Sequence, residues 1–175
     1  ENQIEWYKNC VEKYGRNIPS TVYLHIPLTE YKDAWFEYVD NGYADTENVK
    51  YNYGTAGEKD KVVYPGIYDD NFFETMLELG STDSVFCGHD HYNNFSIEYK
   101  GIRLTYGMSV DYLAYPGIYQ KGTQRGCTMI TFTPDGSFDC KAESYYQDKY
   151  VGLYDKEEVT MQEIKPIDYA EINLG

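Results

Sequence analysis

The chain has 175 residues, 42% of them hydrophobic, which suits one folded domain with a sizeable core and argues against a disordered chain. Its 15 Lys and Arg residues against 29 Asp and Glu residues give a formal net charge of −14. Because nucleic acids and anionic membrane surfaces are bound through clustered basic residues, this balance argues against both kinds of partner. No stretch of the sequence is long and apolar enough to span a bilayer.

The first part of the chain predicts two helices separated by a buried strand. Apolar residues at helical spacing indicate an amphipathic helix over residues 3–14. β-Branched and aromatic residues indicate a buried strand over residues 21–26, and Pro27 ends it because proline cannot donate to a strand ladder. We take Thr29 as the N-cap of a second helix over residues 29–39.

A polar stretch with scattered glycines follows, over residues 40–66. A loop of this length in a compact domain is usually functional, so we expect a rim or a lid over the site, with or without a short hairpin. Asn71 and Glu74 form an N-x-x-E pair that resembles a capping box, and they predict a third helix over residues 70–79. The apolar run of residues 85–87 then predicts a buried strand.

Two β-hairpins are predicted in the second half of the chain. Residues 95–106 contain two strictly alternating segments that flank a tight Lys-Gly turn. Residues 128–141 contain two β-rich segments that flank the turn sequence Pro-Asp-Gly at 134–136. Residues 107–126, between the hairpins, are expected to form an irregular loop. Helices and strands in this order predict a mixed α/β (α+β) fold.

No internal repeat or linker divides the chain, so we expect one domain over residues 1–143. The charged, Tyr-rich residues 144–175 would form a C-terminal tail, either packed on the domain or loosely held. The four cysteines form no C-x-x-C pair, which argues against zinc knuckles and thioredoxin-like motifs. A disulfide between Cys127 and Cys140, across the second hairpin, stays open at this point.

The chain has three histidines, and each follows a short apolar run that predicts a strand. In an extended segment residues two apart point the same way, so His89 and His91 would aim at one spot, with Asp90 turned aside. That arrangement suits one metal ion or a close pair of ions. His25 would lie at the exit of the first strand, where α/β folds place their ligands. The three histidines are therefore the predicted metal ligands.

The segment G-H-D-H at residues 88–91 resembles the last signature of the calcineurin-like metallophosphoesterases. Within that superfamily it is similar to the purple-acid-phosphatase-like branch, which favours G-H-D-H followed by N-D-F. Here residues 93–95 are N-N-F, with Asn94 in place of an aspartate. Residues 25–31 resemble the H-I-P-L-P-E-Y of that branch, with Thr29 in place of a proline.

The resemblance extends over about residues 1–135. Residues 3–7 resemble the Q-x-x-W helix that precedes the histidine strand, and residues 101–107 and 125–126 fit the closing hairpin. This family implies an α/β/β/α sandwich, in which two mixed β-sheets are flanked by helices and a two-metal centre lies at the strand ends. His25 and His89 match ligands of the second metal, and His91 matches a ligand of the first.

Three further residues lie beside the ligands: Asp90, Tyr92 and Asn93. From this position Asp90 would accept a hydrogen bond that orients a ligand histidine, and Tyr92 and Asn93 would touch phosphate or substrate. The residues equally permit a solvated turn aspartate or an Asx turn at Asp90, hairpin packing for Tyr92 and a turn position for Asn93. Apart from metal ligands, no catalytic residue is identified in this chain.

The D-x-H, G-D-x-x-D and G-N-H-[DE] signatures of the family do not occur in this sequence. The resemblance thus implies the C-terminal half of a metal-dependent phosphoesterase, with the N-terminal half of the same domain as its partner and a phosphate ester as substrate. Such enzymes use a hydroxide activated by two metal ions, which are Fe, Zn, Mn or Mg in different members. Because imidazoles alone provide no bridging carboxylate, we expect this chain by itself to bind metal weakly and hydrolyse esters poorly or not at all. The alternative is a non-catalytic, metal-binding or structural remnant of the scaffold.

Overall fold

The computed structural model describes residues 3–59, 62–68, 71–110 and 126–144. Within this part of the chain the helices are α1 (Gln3–Tyr14), α2 (Thr29–Asp40) and α3 (Phe72–Leu79). The strands are β1 (Ser20–Tyr23), β2 (Val49–Tyr53), β3 (Thr82–Cys87), β4 (Ser96–Tyr99), β5 (Ile102–Tyr106), β6 (Gly126–Phe132) and β7 (Phe138–Ser144). No helix among the described residues has the length and apolar character to cross a membrane.

Five of these strands form one mixed sheet in the order β1-β3-β5-β4-β2. β1, β3 and β5 run parallel, whereas β4 is antiparallel to both β5 and β2. β6 and β7 pair with each other as a separate antiparallel hairpin. The mixed sheet with its helices confirms the predicted α+β class.

The helices and the β6–β7 hairpin pack on opposite faces of the sheet. Neighbouring side chains of a strand point to opposite faces, so Phe86 and Cys87 mark the two sides of β3. Cys87 belongs to the core cluster, together with Tyr31 of α2. The Phe86 ring lies 6.0 Å from the ring of Phe138 in β7. The sheet is therefore the middle layer between helices and a second pair of strands.

The predicted N-cap of α2 is wrong, and the predicted capping box of α3 does not form, although both helices are present. The N-cap of α2 is Leu28, which gives no side-chain bond, and Thr29 is already the first helical residue. Asn71 is the N-cap of α3, as the N-x-x-E pair predicts, but its φ is 56° and its side chain makes no cap bond. A capping side chain needs an extended backbone at the N-cap, so the left-handed conformation of Asn71 prevents the predicted capping box. Thr75 Oγ1 instead donates to the Asn71 carbonyl at 2.8 Å.

The polar stretch of residues 40–66 differs from its prediction, because part of it joins the main sheet. β2 lies within it and pairs with β4 as an edge strand. Val49 anchors this strand with a side chain that is 0% exposed. Lys50 also forms an ion pair with Glu98 of β4, at 2.8 Å. The stretch therefore extends the sheet, and residues 54–59 and 62–64 follow β2 as a loop.

The two cysteines of the second hairpin are both free. Cys127 lies opposite Glu143, whereas Cys140 lies opposite Ile130. The two cysteines are thus offset by three positions and point to opposite faces of the hairpin, which excludes the disulfide that the sequence left open. Most of the predicted loop at 107–126 and the tail beyond residue 144 lie outside the described residues. The predicted domain boundary therefore stays a prediction.

Candidate functional site

His25 and His89 meet at the exits of two neighbouring parallel strands. His25 lies two residues after β1, and His89 lies two residues after β3. The Gly88 amide donates to the His25 carbonyl at 3.1 Å, so the two chain segments are joined directly behind the rings. The ring centroids are 5.3 Å apart in an edge-on arrangement, and both side chains are exposed. The fold thus presents two adjacent imidazoles to solvent at one edge of the sheet.

The segment that carries His89 and His91 is a tight turn, so the prediction that it is extended is wrong. The Asp90 amide donates to the Gly88 carbonyl at 2.9 Å, which closes a γ-turn around His89. His89 has a φ of 72°, a conformation that residues other than glycine rarely adopt. The Asn93 amide then donates to the Asp90 carbonyl at 3.2 Å. The rule that residues two apart share a face applies to extended chains, so it does not hold across this turn.

The turn separates the three predicted ligands into a pair and a third residue. His91 is half-buried, in contrast to the exposed His25 and His89. Among the residues that the structure describes, no three His, Cys, Asp or Glu side chains are close enough to hold one metal ion. The structure thus brings His25 and His89 together, and the assignment of all three histidines as ligands stays a prediction.

Asp90 is part of this turn, but its side chain is buried in the protein, with 3% of the residue's surface exposed. Its Oδ2 atom accepts hydrogen bonds from the Tyr64 amide at 3.1 Å, from Asn93 Nδ2 at 3.3 Å and from the Tyr106 hydroxyl at 2.5 Å. A buried carboxylate is costly unless several donors surround it, and these three offset that cost. Asp90 therefore holds protein groups together and does not face the solvent beside the histidines.

Asn93 and Asn94 attach the loop formed by residues 54–59 and 62–64 to the turn of residues 88–94, the histidine turn. Asn93 is fully buried; its Oδ1 accepts from the amides of Gly57 at 3.0 Å and Glu58 at 3.3 Å, and its Nδ2 donates to the Val62 carbonyl at 2.7 Å. Together with its bond to Asp90, these contacts occupy both amide hydrogens and the oxygen. Asn94 Oδ1 accepts from the Thr55 amide at 2.8 Å. Both asparagines thus bind the protein's own backbone.

Tyr92 lies at the outer side of the turn and is half-buried. Its amide donates to Glu58 Oε1 at 3.0 Å, which adds a further bond between the turn and the loop. Glycines allow the two backbones to come this close. A Cβ on Gly57 would lie 2.5 Å from the Tyr92 carbonyl oxygen, and one on Gly54 would lie 2.3 Å from the Asn94 carbonyl oxygen.

Burial keeps the nearby Tyr106 hydroxyl and Cys87 thiol protonated. Burial raises the pKa of Cys87 well above its usual value, so this thiol is not a nucleophile near neutral pH. Burial, followed by the nearby Cys87 and the bond to Asp90, also raises the pKa of Tyr106. Tyr106 therefore acts as a hydrogen-bond donor to Asp90 and not as an acid or a base.

Sequence reasoning misses Tyr106 and Glu58, which hold the turn from two sides. The alternation of β5 indicates that Tyr106 is buried, but its partner lies 16 residues earlier. Glu58 lies in a stretch without periodicity and contacts a residue 34 positions away. The closely spaced glycines at 54 and 57 are the one local signal that another backbone packs against this loop.

The chemistry of these side chains fits half of a metal centre. Zinc and iron accept imidazole nitrogens, and the His25–His89 pair offers two of the four or more ligands that such ions need. The nearby carboxylate of Asp90 is turned into the protein and accepts three hydrogen bonds there. A complete two-metal centre would therefore need carboxylates in addition to the residues of this turn.

Three curated proteins of Arabidopsis thaliana are similar to this chain. "Probable inactive purple acid phosphatase 29" is 34% identical over 97 residues, which cover 55% of this chain and 21% of the relative. "Probable inactive purple acid phosphatase 14" is 35% identical over 97 residues, which cover 55% of this chain and 20% of that relative. "Probable inactive purple acid phosphatase 28" is 24% identical over 120 residues, which cover 66% of this chain and 26% of that relative.

No family model matches the chain, and no solved structure matches it significantly. The chain spans between about a fifth and a quarter of the length of the curated relatives it matches. The chain is thus similar to proteins named purple acid phosphatases, and those proteins carry the qualification "inactive" in their names.

Proposed function

We propose that this chain is the C-terminal part of a purple-acid-phosphatase-like phosphoesterase domain and that it supplies imidazole ligands to a two-metal centre. The observation that carries this proposal is the His25–His89 pair, whose rings lie 5.3 Å apart at the exits of two parallel strands. The similarity to proteins named purple acid phosphatases supports the same family. Strand exits are also where α/β sheets usually bind their ligands.

In this proposal His25 and His89 hold one metal ion through their ring nitrogens, and His91 binds the other. When bound, the two ions supply an activated hydroxide and neutralise charge on a phosphate ester. Imidazole ligands favour iron or zinc, whereas manganese or magnesium would depend more on carboxylates. Both rings of the pair are exposed, so a substrate phosphate has access to this edge of the sheet.

The carboxylates of the centre would come from residues outside this sequence, in the N-terminal half of the same domain. The sequence lacks the D-x-H, G-D-x-x-D and G-N-H segments that carry them in the resembling family. Two imidazoles bind a divalent ion more weakly than a full set of four ligands does. The chain by itself should therefore bind metal weakly and should not turn over phosphate esters.

A second candidate function is a non-catalytic scaffold that keeps the fold and binds one metal ion or none. The observation that favours it is the word "inactive" in the names of the three relatives. A scaffold that binds one ion would hold it at the His25–His89 pair, as a structural or regulatory site. The two candidates share the fold and differ in turnover.

One experiment separates the two candidates. Bound metal and hydrolysis of p-nitrophenyl phosphate and bis(p-nitrophenyl) phosphate are measured for the protein encoded by the complete reading frame and for this chain alone. We expect the complete protein to bind two metals and hydrolyse at least one ester, and this chain to hydrolyse neither. Bound metal without hydrolysis by the complete protein would favour the scaffold. Metal content that does not change in the His25→Ala and His89→Ala variants would overturn the proposed centre.

A further inference from the structure

Asp90 lies in the middle of the histidine turn but points into the protein. It is 3% exposed, and its carboxylate meets donors from three different parts of the chain. We infer that Asp90 is a positioning residue, which sets the geometry of the His25–His89 pair by holding the backbone turn that presents His89. This inference rests on one part of the proposed function, the binding of a metal ion by His89.

The conformation of His89 needs such support. Its φ of 72° lies in the left-handed region, where the Cβ of an L-residue is close to the following carbonyl oxygen. A non-glycine residue keeps this conformation only where its surroundings determine it. The γ-turn bond from the Asp90 amide to the Gly88 carbonyl, at 2.9 Å, is the local contact that defines the turn. The position of Asp90 therefore decides the direction in which the His89 ring leaves the backbone.

Two separate elements fix the position of Asp90. On one side the Tyr106 hydroxyl, at the end of β5, donates to its carboxylate, and Tyr106 is itself 0% exposed. On the other side the Tyr64 amide, from the loop of residues 54–59 and 62–64, donates to the same oxygen at 3.1 Å. Asn93 donates from within the turn. Because the donors converge on one oxygen, a shift of the carboxylate would break contacts to the sheet and to the loop at once.

The consequence for metal binding follows from the separate origins of His25 and His89. His25 is fixed by β1, and the backbone bond from Gly88 to the His25 carbonyl at 3.1 Å joins the strand exits. His89 follows Gly88, and the orientation of its ring depends on the turn. If the turn relaxes, the rings no longer hold the separation that a shared metal ion requires. Residues that orient metal-binding histidines typically change metal affinity by about 10–100-fold when they are replaced.

The test compares four variants of the protein encoded by the complete reading frame. Asp90→Ala removes the carboxylate, Asp90→Asn keeps an acceptor oxygen, and Tyr106→Phe removes one donor while it keeps the ring. Thr82→Val is the matched control, because Thr82 is also buried and bonds to the Tyr7 hydroxyl at 2.7 Å, at the opposite end of β3. Each variant is titrated with Zn²⁺, and the His89 and His91 imidazole signals of the metal-free protein are recorded by ¹H–¹⁵N NMR.

We expect Asp90→Ala to weaken Zn²⁺ binding about 10–100-fold, and Asp90→Asn and Tyr106→Phe to weaken it less. In the metal-free protein the His89 signal should move in Asp90→Ala and in Tyr106→Phe. Thr82→Val should lower the melting temperature but leave both the affinity and the signal unchanged. If Asp90→Ala does not fold, Tyr106→Phe carries the comparison alone.

The two possible failures are distinct. If the His25→Ala and His89→Ala variants bind Zn²⁺ as tightly as the wild type does, the proposed metal centre fails. The NMR comparison then decides the role of Asp90 by itself. An unchanged His89 signal in Asp90→Ala, or in Tyr106→Phe where Asp90→Ala does not fold, would overturn the positioning role. An equal loss of affinity in the Thr82→Val control would also overturn it, because general destabilisation would then explain the effect.

Discussion

A single hydroxyl group connects helix α2 to two strands of the sheet. Tyr31 is 0% exposed, and its hydroxyl donates to the Val85 carbonyl at 2.7 Å. The same oxygen accepts a hydrogen bond from the Thr105 amide at 3.2 Å. Burial raises the pKa of Tyr31 well above its usual value, so the hydroxyl keeps its proton and remains a donor. The start of α2, just after His25, is thereby held against β3 and β5.

We predict that Tyr31→Phe destabilises the protein by about 1–3 kcal/mol, because it removes the buried hydrogen bonds that the Tyr31 hydroxyl makes with the backbone of β3 and β5. The free energy of unfolding in urea measures this loss. Tyr14→Phe is the matched control, since Tyr14 is 66% exposed, and it should change the free energy by less than about 0.5 kcal/mol. Equal values for the two variants would contradict the connecting role of the hydroxyl.

At the scale of elements, the loop of residues 54–59 and 62–64 is held by hydrogen bonds to the histidine turn. Its backbone amides at Thr55, Gly57 and Glu58 donate to side chains of the turn. Its own Glu58 carboxylate accepts from the Tyr92 amide at 3.0 Å. The loop and the turn therefore form one packed unit, and a substitution in the loop should affect the site.

Gly57→Ala tests this packing sterically. The φ of Gly57 lies outside the left-handed region, so alanine suits its backbone, but the new Cβ would lie 2.5 Å from the Tyr92 carbonyl oxygen. Hydrogen bonds hold the backbones of both Gly57 and Tyr92 in place, so neither can move away from the new Cβ. We therefore predict a loss of about 1–3 kcal/mol in the free energy of unfolding. In Gly66→Ala the nearest atom would be 3.9 Å away, so that variant should behave like wild type. A Gly57→Ala protein as stable as Gly66→Ala would show that the loop is not docked as described.

At the scale of the whole molecule, local sequence signals predict the elements that depend on local chemistry. Strict alternation around a Lys-Gly pair predicts the β4–β5 hairpin, and Lys100 and Gly101 have the positive φ values, 50° and 89°, that a two-residue hairpin turn requires. Helix α1 follows from its apolar spacing, and its buried residues, Tyr7 and Val11, lie on the predicted stripe. These features need no information from distant parts of the chain.

The features that the sequence does not disclose depend on distant partners. In β2 one residue of five is buried, and its pairing is set by β4, so its own residues give no strand pattern. The tight turn at His89 depends on Asp90, whose partners include Tyr64 and Tyr106. The residue types therefore predict the histidines as ligands, while the arrangement of their rings comes from a buried network that only the folded chain assembles.

The metal stoichiometry of the complete protein tests the whole arrangement. His25 and His89 are in contact, at 5.3 Å between ring centroids, so in our proposal they share one ion. We predict that His25→Ala and His89→Ala each lower bound metal from about two ions to about one, and that the double variant loses no more. His89→Ala combined with His91→Ala should instead lose both ions. Asp83→Asn controls for unspecific attraction of cations to a chain of net charge −14, because Asp83 is exposed on β3, away from its histidine end. Complete loss of metal in the His25/His89 double variant would contradict a shared ion, because each ring would then hold a different one.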